Sequence, residues 1–259
     1  MKAVILAGGL GTRMREETEF RPKPMVEIGG APVVWHIMQN LSHGGIDHFV
    51  VAAGYKANVM KTFFANLRAF QSDLSTDLAT GNVVIHEESG DLWRMHGKVD
   101  VVDTGMNSPT GERLRRLQRW LSEDELFIVT YGDGLADVDV RRLIKYHQEH
   151  GKEATVTVAR PVSRFGVTRI DAQGNVVQFS EKPTLDTWVN IGYFVFNKSI
   201  FSKICENEVL EVEPLKRLVD EGELAAYRHN RFWMPMDTYR EYQELNALWE
   251  SGNAPWKTW

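Results

Sequence analysis

The sequence predicts an α/β protein on a doubly wound, mixed β-sheet with an added antiparallel portion, and three observations carry that prediction. The chain opens on an apolar, β-rich run that stops at a glycine pair. Strand and helix patterns then alternate to about residue 132, and beyond residue 154 the texture turns to alternating strands around a turn signal. The 259 residues suffice for one large unit with a sizeable core. A single domain over 1–259 is expected, since no repeat or low-complexity linker divides it.

Lys2-Ala3-Val4-Ile5-Leu6, closed by Gly8-Gly9, suits a strand buried on both faces. Pro32 to Ser42 is helical, with Val33, Val34, Ile37, Met38 and Leu41 at helical spacing and Gly44-Gly45 as the stop. His48 to Ala53 is a second buried strand, which completes a βαβ unit. The alternation continues with a helix over Val59 to Phe70, a short strand over Asn82 to His86, a helix over Thr110 to Leu121 and a buried strand over Leu126 to Tyr131. This is a Rossmann-like pattern. Ala154 to Arg160 and Gly166 to Phe179 read as more antiparallel strands, the latter turning at Ala172-Gln173-Gly174-Asn175. Helices over Glu213 to Glu221 and Asp237 to Trp249 close the chain.

Thirty basic and 35 acidic residues are spread without a stripe, for a net charge of −5, which argues against nucleic acid as a partner and for small anions at a local site. No run approaches the ~20 apolar residues of a membrane span, and glycines break the N-terminal apolar run too early for a signal peptide. The lone Cys205 cannot form an intramolecular disulfide, and its apolar neighbours predict a packed thiol. A cytoplasmic setting is expected.

Gly8-Gly9-Leu10-Gly11-Thr12-Arg13 directly follows the first strand, where backbone N–H groups can converge on an anion. Met14 stands where the dinucleotide fingerprint needs glycine, and no Gly-Lys-Ser/Thr follows, so neither that motif nor a Walker loop is present. A tight turn is the structural alternative. Lys23, between Pro22 and Pro24, is presented by a restricted backbone. Asp133, after a buried strand, and Asp237 could each give Mg²⁺ one oxygen ligand, although Asp237 also suits a helix N-cap. In Glu181-Lys182-Pro183 a fixed lysine suits a phosphate monoester, while Asn190 and Gly192 suit sugar hydroxyls; a plain turn accounts for the same residues.

Together the G-G-x-G-T-R loop, Pro22-Lys23-Pro24-Met25, Gly132-Asp133 and Glu181-Lys182-Pro183 resemble the sugar-1-phosphate nucleotidylyltransferases over essentially the whole chain. Val102-Asp103-Thr104-Gly105, Thr110 to Leu114 and Phe232 to Thr238 are similar to its cytidylyl subgroup acting on glucose 1-phosphate. The resemblance implies a nucleotide-diphospho-sugar transferase type of fold, with a nucleotide part mainly at 1–135 and a sugar-phosphate part mainly at 154–240. It implies that Leu6, Ala7, Gly8, Gly9, Gly11, Thr12, Arg13 and Lys23 meet CTP, with Thr104 and Arg113 near its base. Tyr131, Gly132, Gly166, Glu181, Lys182, Asn190 and Gly192 then meet the sugar 1-phosphate, and Asp133 and Asp237 hold Mg²⁺. Arg13, Lys23 and Lys182 are the expected catalytic cations.

The chain departs from the family pattern at Thr184 to Gly192, where Ile191 adds a branched side chain, and at Val167-Thr168-Arg169. Both changes fall where the sugar is expected. A different phosphate-monoester acceptor is therefore one alternative to CDP-glucose synthesis, and because a fold alone does not establish activity, a non-catalytic nucleotide-sugar sensor is another. The family also implies a homo-oligomer. The tail tryptophans Trp249, Trp256 and Trp259 suit either a contact surface or packing of the last helix.

Overall fold

The computed structural model describes residues 1–88 and 97–259. Its main sheet contains β1 (Ala3–Ala7), β2 (His48–Ala53), β3 (Lys98–Asp103), β4 (Leu126–Tyr131), β5 (Ala154–Ala159), β6 (Val189–Asn197) and β7 (Leu224–Arg228). Their spatial order is β7-β5-β6-β4-β1-β2-β3. β1 pairs in parallel with both β2 and β4, with Ile5 opposite Val51 and Thr130. β6 alone runs against its neighbours, β4 and β5. The strand order reverses at β1 and β4, which opens a crevice at their carboxyl ends.

Every residue of β1 is buried, and successive side chains feed two cores. Ala3, Ile5 and Ala7 pack in one core with Ile37, Met38 and Leu41 of α1 (Val33–His43). Val4 and Leu6 pack on the other face with Leu114 of α3 (Thr110–Arg116). The helix α2 (Ala57–Ala65) lies between β2 and β3 in the chain. α4 (Val140–His150), α5 (Glu213–Asp220) and α6 (Tyr239–Glu250) complete the layers that cover a sheet with both faces buried.

Two-stranded ribbons stand apart from the sheet. The inner ribbon pairs Gly134–Ala136 with Trp233–Pro235. The outer hairpin pairs Val167–Ile170 with Val176–Ser180 around the expected turn. A third pairs Ser72–Thr76 with Val83–Glu88, and a very short one pairs Glu27–Ile28 with Ala31–Pro32.

Several sequence expectations require correction. Asn82 to His86 belongs to that third ribbon, and the parallel edge position is taken by β3, Lys-Val-Asp-Val-Val-Asp, whose alternating charges reflect an edge covered less completely than the centre. Asn66 separates α2 from a single turn at Leu67–Phe70, and the segment after Arg116 tightens to a 3₁₀ turn at Gln118–Trp120. Ala154 to Ala159 lies in the main sheet, antiparallel to β6 as the texture of this half predicts and parallel to β7 on its other side. Cys205 is exposed, since Ile200 and Ile204 are the residues of that segment that turn inward. Trp256 is fully buried, with Trp249 stacked at 6.4 Å and Trp259 set edge-on to Trp35 at 5.8 Å, so the tail packs on α1. Among the described residues no helix is long and apolar enough to cross a membrane.

Candidate active site

At the end of β1 the chain turns sharply, and glycine is required there for contact reasons. A Cβ on Gly8 would lie 2.1 Å from the Arg113 guanidinium carbon. Arg113 is 4 % exposed and reaches across from α3. It donates to the carbonyls of Gly8 at 2.9 Å, Gly105 at 2.7 Å and Met106 at 3.1 Å, and to Thr104 Oγ1 at 2.9 Å. Thr104 is fully buried and donates to the Ala53 carbonyl at 2.7 Å. Burial pulls the Arg113 pKa down, with Arg116 adding to it. The glycine loop is thus held from behind by its carbonyls. Among the described residues the N–H groups of Gly9, Leu10 and Gly11 have no protein partner. Gly11 adopts a φ of +63°, and Thr18 Oγ1 donates to its carbonyl at 3.0 Å.

The proline-flanked Lys23 begins a 3₁₀ turn, Lys23–Met25, and its side chain is nearly buried. Its Nζ donates to Asp133 Oδ2 at 2.7 Å and to Asp237 Oδ1 at 2.6 Å. Arg13 Nη1 donates to the other oxygen of Asp237 at 2.7 Å. Burial raises the Asp237 pKa, but Lys23 and then Arg13 outweigh it, so the carboxyl sits below its ordinary value. Asp133 follows β4 and Asp237 follows the inner ribbon. The Met236 amide, donating to the Asp133 carbonyl at 2.8 Å, ties the two together. Asp237 is not the N-cap of α6. Thr238 is, in a capping box with Glu241, whose carboxylate also accepts from the Asp237 amide at 2.8 Å.

These groups enclose a cleft of about 180 Å³ lined by Leu6, Ala7, Gly9, Gly11, Thr12, Arg13, Lys23, Pro24, Gly132, Asp133 and Asp237. The structure therefore gathers most of the sequence-predicted nucleotide and metal residues at one place. Gly8, Thr104 and Arg113 stand behind its wall. The close fit extends to Gly132, where a Cβ would lie 2.8 Å from Pro24.

Beside the cleft, Tyr131 donates its hydroxyl proton to Glu211 Oε1 at 2.5 Å and accepts from Asn190 Nδ2 at 3.2 Å. Burial, then Glu211, pushes the Tyr131 pKa up, which keeps the phenol neutral. Asn190 Oδ1 accepts from the Gly192 amide at 2.8 Å. Gly192, at φ +81°, leaves the space in which a Cβ would lie 2.2 Å from the Tyr131 ring. Glu211 does not stand out in the sequence, because a glutamate in Val209-Leu210-Glu211-Val212 looks like any solvated charge before a helix. Ile191 is 4 % exposed and belongs to the core, so its branched side chain does not enter the cleft. Gly166, Glu181 and Lys182 lie at the outer hairpin and do not line the cleft. Gly166 faces the Phe179 ring and Glu181, while Lys182 is exposed at a φ of +46°.

Unspent amides, two cations and two carboxylates at the switch point form an arrangement suited to a polyphosphate and a divalent cation, with no poised nucleophile of the protein's own. Among the described residues no group of three or more His, Cys, Asp and Glu side chains could hold a metal. A family model described as "Nucleotidyl transferase" matches residues 2–251. The glucose-1-phosphate cytidylyltransferases of Salmonella typhi and Salmonella typhimurium are each 48 % identical to the chain, with all of both proteins covered. The crystal structure of HddC from Yersinia pseudotuberculosis complexed with GMP-PN shares the fold, with a TM-score of 0.68 at 21 % identity over 96 % of this chain and 99 % of that one. The chain belongs to the nucleotidyl transferase family, in its sugar-1-phosphate nucleotidylyltransferase branch.

Proposed function

We propose that this protein transfers the cytidylyl group of CTP to α-D-glucose 1-phosphate, giving CDP-glucose and pyrophosphate. The observation that carries the chemistry is the Lys23 ammonium bonded to both Asp133 and Asp237 beneath the unspent amides of the glycine loop. The choice of base and sugar rests on the full-length relatives at 48 % identity. The nucleotide then occupies mainly residues 1–135 and the sugar phosphate mainly 154–240.

A phosphate oxygen of glucose 1-phosphate attacks the α-phosphorus of CTP in line with the departing bond. The new P–O bond forms as the bond to the bridging oxygen breaks, and pyrophosphate leaves with that electron pair. The nucleophile is already an anion, so no general base is required. The protein's task is to bring two anions together and offset their repulsion. The loop amides and Arg13 receive the triphosphate. Lys23 turns from its carboxylate partners toward phosphate oxygens without leaving the cleft. Arg113 and Thr104 act from behind, fixing the loop carbonyls and the Gly105 wall on the base side.

Asp133 and Asp237 converge on one ammonium at 2.7 and 2.6 Å, and a hard, all-oxygen pair that already surrounds a cation fits Mg²⁺. When bound by these two residues, the ion supplies charge neutralisation and polarisation of the phosphate oxygens. On the acceptor side, Asn190 and the Gly192 backbone offer hydrogen bonds to sugar hydroxyls. Lys182 meets the incoming phosphate, and its left-handed backbone is held by the Ser163 amide on the Pro183 carbonyl at 2.9 Å. The homo-oligomer belongs to the same proposal. Phe165, Ile170, Val176, Val177 and Phe179 at the outer hairpin are each more than 60 % exposed, which suits a second copy of the chain better than water. A cytoplasmic setting, in keeping with a lone cysteine, completes the reading.

Pyrophosphate release from CTP with a panel of sugar phosphates tests the reading, with glucose 1-phosphate expected to give the highest kcat/KM. Lys182→Ala should raise the KM for the sugar phosphate by roughly tenfold or more while leaving CTP affinity nearly unchanged. No release with any acceptor would overturn the assignment, and equal loss of both substrates would overturn the role of Lys182.

A further inference from the structure

The first turn of α3 carries a set of bonds separate from those of Arg113. Thr110 opens the helix and meets the segment 207–211 that leads into α5. The fit is close. A Cβ on Gly111 would lie 2.7 Å from the Glu208 carbonyl oxygen, and the Glu112 amide donates to that carbonyl at 3.2 Å. The fully buried Glu112 carboxylate accepts from the Asn207 amide at 3.2 Å. These contacts already fasten the segment to α3, so a further bond from Thr110 to Glu211 is not needed for that purpose.

From this turn a chain of hydrogen bonds crosses to β4 and β6, and a backbone amide at each end fixes its direction. An amide can only donate, so the Leu210 N–H, 3.0 Å from Thr110 Oγ1, makes that oxygen an acceptor. The Thr110 hydroxyl proton then goes to Glu211 Oε2 at 2.5 Å. At the other end the Gly192 N–H requires an oxygen at the Asn190 atom it meets at 2.8 Å, which turns Asn190 Nδ2 toward the Tyr131 hydroxyl at 3.2 Å. That hydroxyl accepts from Asn190 and gives its own proton to Glu211 Oε1 at 2.5 Å. Both ends meet on Glu211, one oxygen for each, and an ionised carboxylate is a side chain with two acceptors and no donor.

The consequence falls on Asn190. Its half-buried carboxamide cannot turn over without setting N–H against N–H at Gly192 and an oxygen against the Tyr131 hydroxyl, whose proton is already spent on Glu211. Among the described residues its second Nδ2 hydrogen has no protein partner. The site beside the cleft therefore presents a donor of fixed direction. Thr110, Glu211, Tyr131 and Asn190 are all half-buried, where a hydrogen-bonded chain holds its geometry better than it would in open water.

We propose that Thr110 and Glu211 are positioning residues of the acceptor site, acting through Tyr131 to hold the Asn190 carboxamide as a hydrogen-bond donor to a hydroxyl oxygen of the sugar 1-phosphate. The role rests on the proposed transferase reading. Without the Thr110 hydroxyl, Glu211 loses the bond that steadies its carboxylate, the Tyr131 hydroxyl loses a fixed acceptor, and Asn190 is free to turn. The nucleotide side keeps its own anchors, because Arg113 is bonded to Gly8, Ala53, Thr104, Gly105 and Met106 and to no member of this chain.

Steady-state kinetics of the intact protein with CTP and glucose 1-phosphate test the role. Thr110→Val keeps the shape and removes the hydroxyl, and should raise the KM for glucose 1-phosphate by about tenfold, as loss of a hydrogen bond to a charged group implies. The KM for CTP and kcat should stay within about twofold of wild type, the pattern of lost uniform binding of one substrate. Thr110→Ser should recover the wild-type KM. Tyr131→Phe tests the same chain from its other end and should raise the same KM. Adding Thr110→Val to Tyr131→Phe should then raise it by no more than about twofold, since residues on one chain of bonds do not act additively. A merely structural role for Thr110 would raise both KM values together, resist recovery by serine or add in full to Tyr131→Phe. Any of these results, or a Thr110→Val KM equal to that of wild type, overturns the proposal. A wild type that turns over no sugar phosphate overturns the transferase reading, and this role with it.

Discussion

Gly8 lacks a side chain because Arg113 fills the space where one would stand, and this contact shows how single residues set the cleft. Gly8→Ala must displace a guanidinium that bonds to five groups, on Gly8, Ala53, Thr104, Gly105 and Met106, so the loop moves with it. We expect a KM for CTP higher by about 100-fold, of the order that an ångström of misplacement costs, with the fold retained by circular dichroism. A KM within twofold of wild type would show that the loop does not depend on Arg113. The sequence made the glycine cluster legible as a phosphate cradle and, through its flanking prolines, Lys23 as a presented cation. It did not reveal the use of Arg113. An arginine in Thr-Gly-Glu-Arg-Leu-Arg-Arg is indistinguishable in pattern from its neighbours, and only tertiary placement shows that this one turns inward while Arg115 and Arg116 bond to Glu112. Glu211 was hidden for the same reason.

Among the elements, α6 matters to the site through its first turn. Glu241 accepts from the amides of Asp237 and Thr238, and the Thr238 hydroxyl accepts from the Glu241 amide in return at 3.3 Å. Thr238→Ala should cost about 1 kcal/mol of stability, read as a lower urea midpoint at unchanged m-value. It should also lower kcat, because Asp237 loses part of its anchor. A stability loss with kcat unaltered would confine the cap to a structural role. The buried strands β1, β2 and β4 were legible because each is a continuous apolar run closed by glycine, too short for a helix and long enough to cross a sheet. β3 and β7 were not, since edge strands carry alternating or small residues that local pattern does not separate from loop. β6 was seen only as a motif around Asn190, because Gly192 interrupts its apolar run.

At the scale of the whole molecule, the tail is fastened to α1 through His36. Its Nε2 bonds to the Ile28 carbonyl at 2.9 Å and its Nδ1 accepts from the Trp256 indole at 3.3 Å, an arrangement that needs the neutral ring. Burial lowers its pKa from 6.5 to about 4. Between those values the unfolded chain binds a proton that the folded chain refuses, so stability is complete above pH 6.5 and is lost as pH falls toward 4. The loss amounts to at most ~3 kcal/mol. Urea midpoints from about pH 7 to about pH 4.5 should show it, and His36→Gln should flatten the curve; an equally steep decline in the variant would point to other groups. The fold class was open to sequence reading because alternation is a property of the chain. The packing of Trp249, Trp256 and Trp259 was not, since an outward and an inward tryptophan share one pattern. The position of β1 has a consequence for how the molecule is made. Its edges are closed by β2, which follows within about 50 residues, and by β4, whose Ile128 must find Ala3 across almost half the chain. A nascent chain emerging from the N-terminus therefore carries a doubly apolar strand with one open edge until Tyr131 has been synthesised. Late closure of that edge makes the period before it the interval of greatest exposure to misassembly.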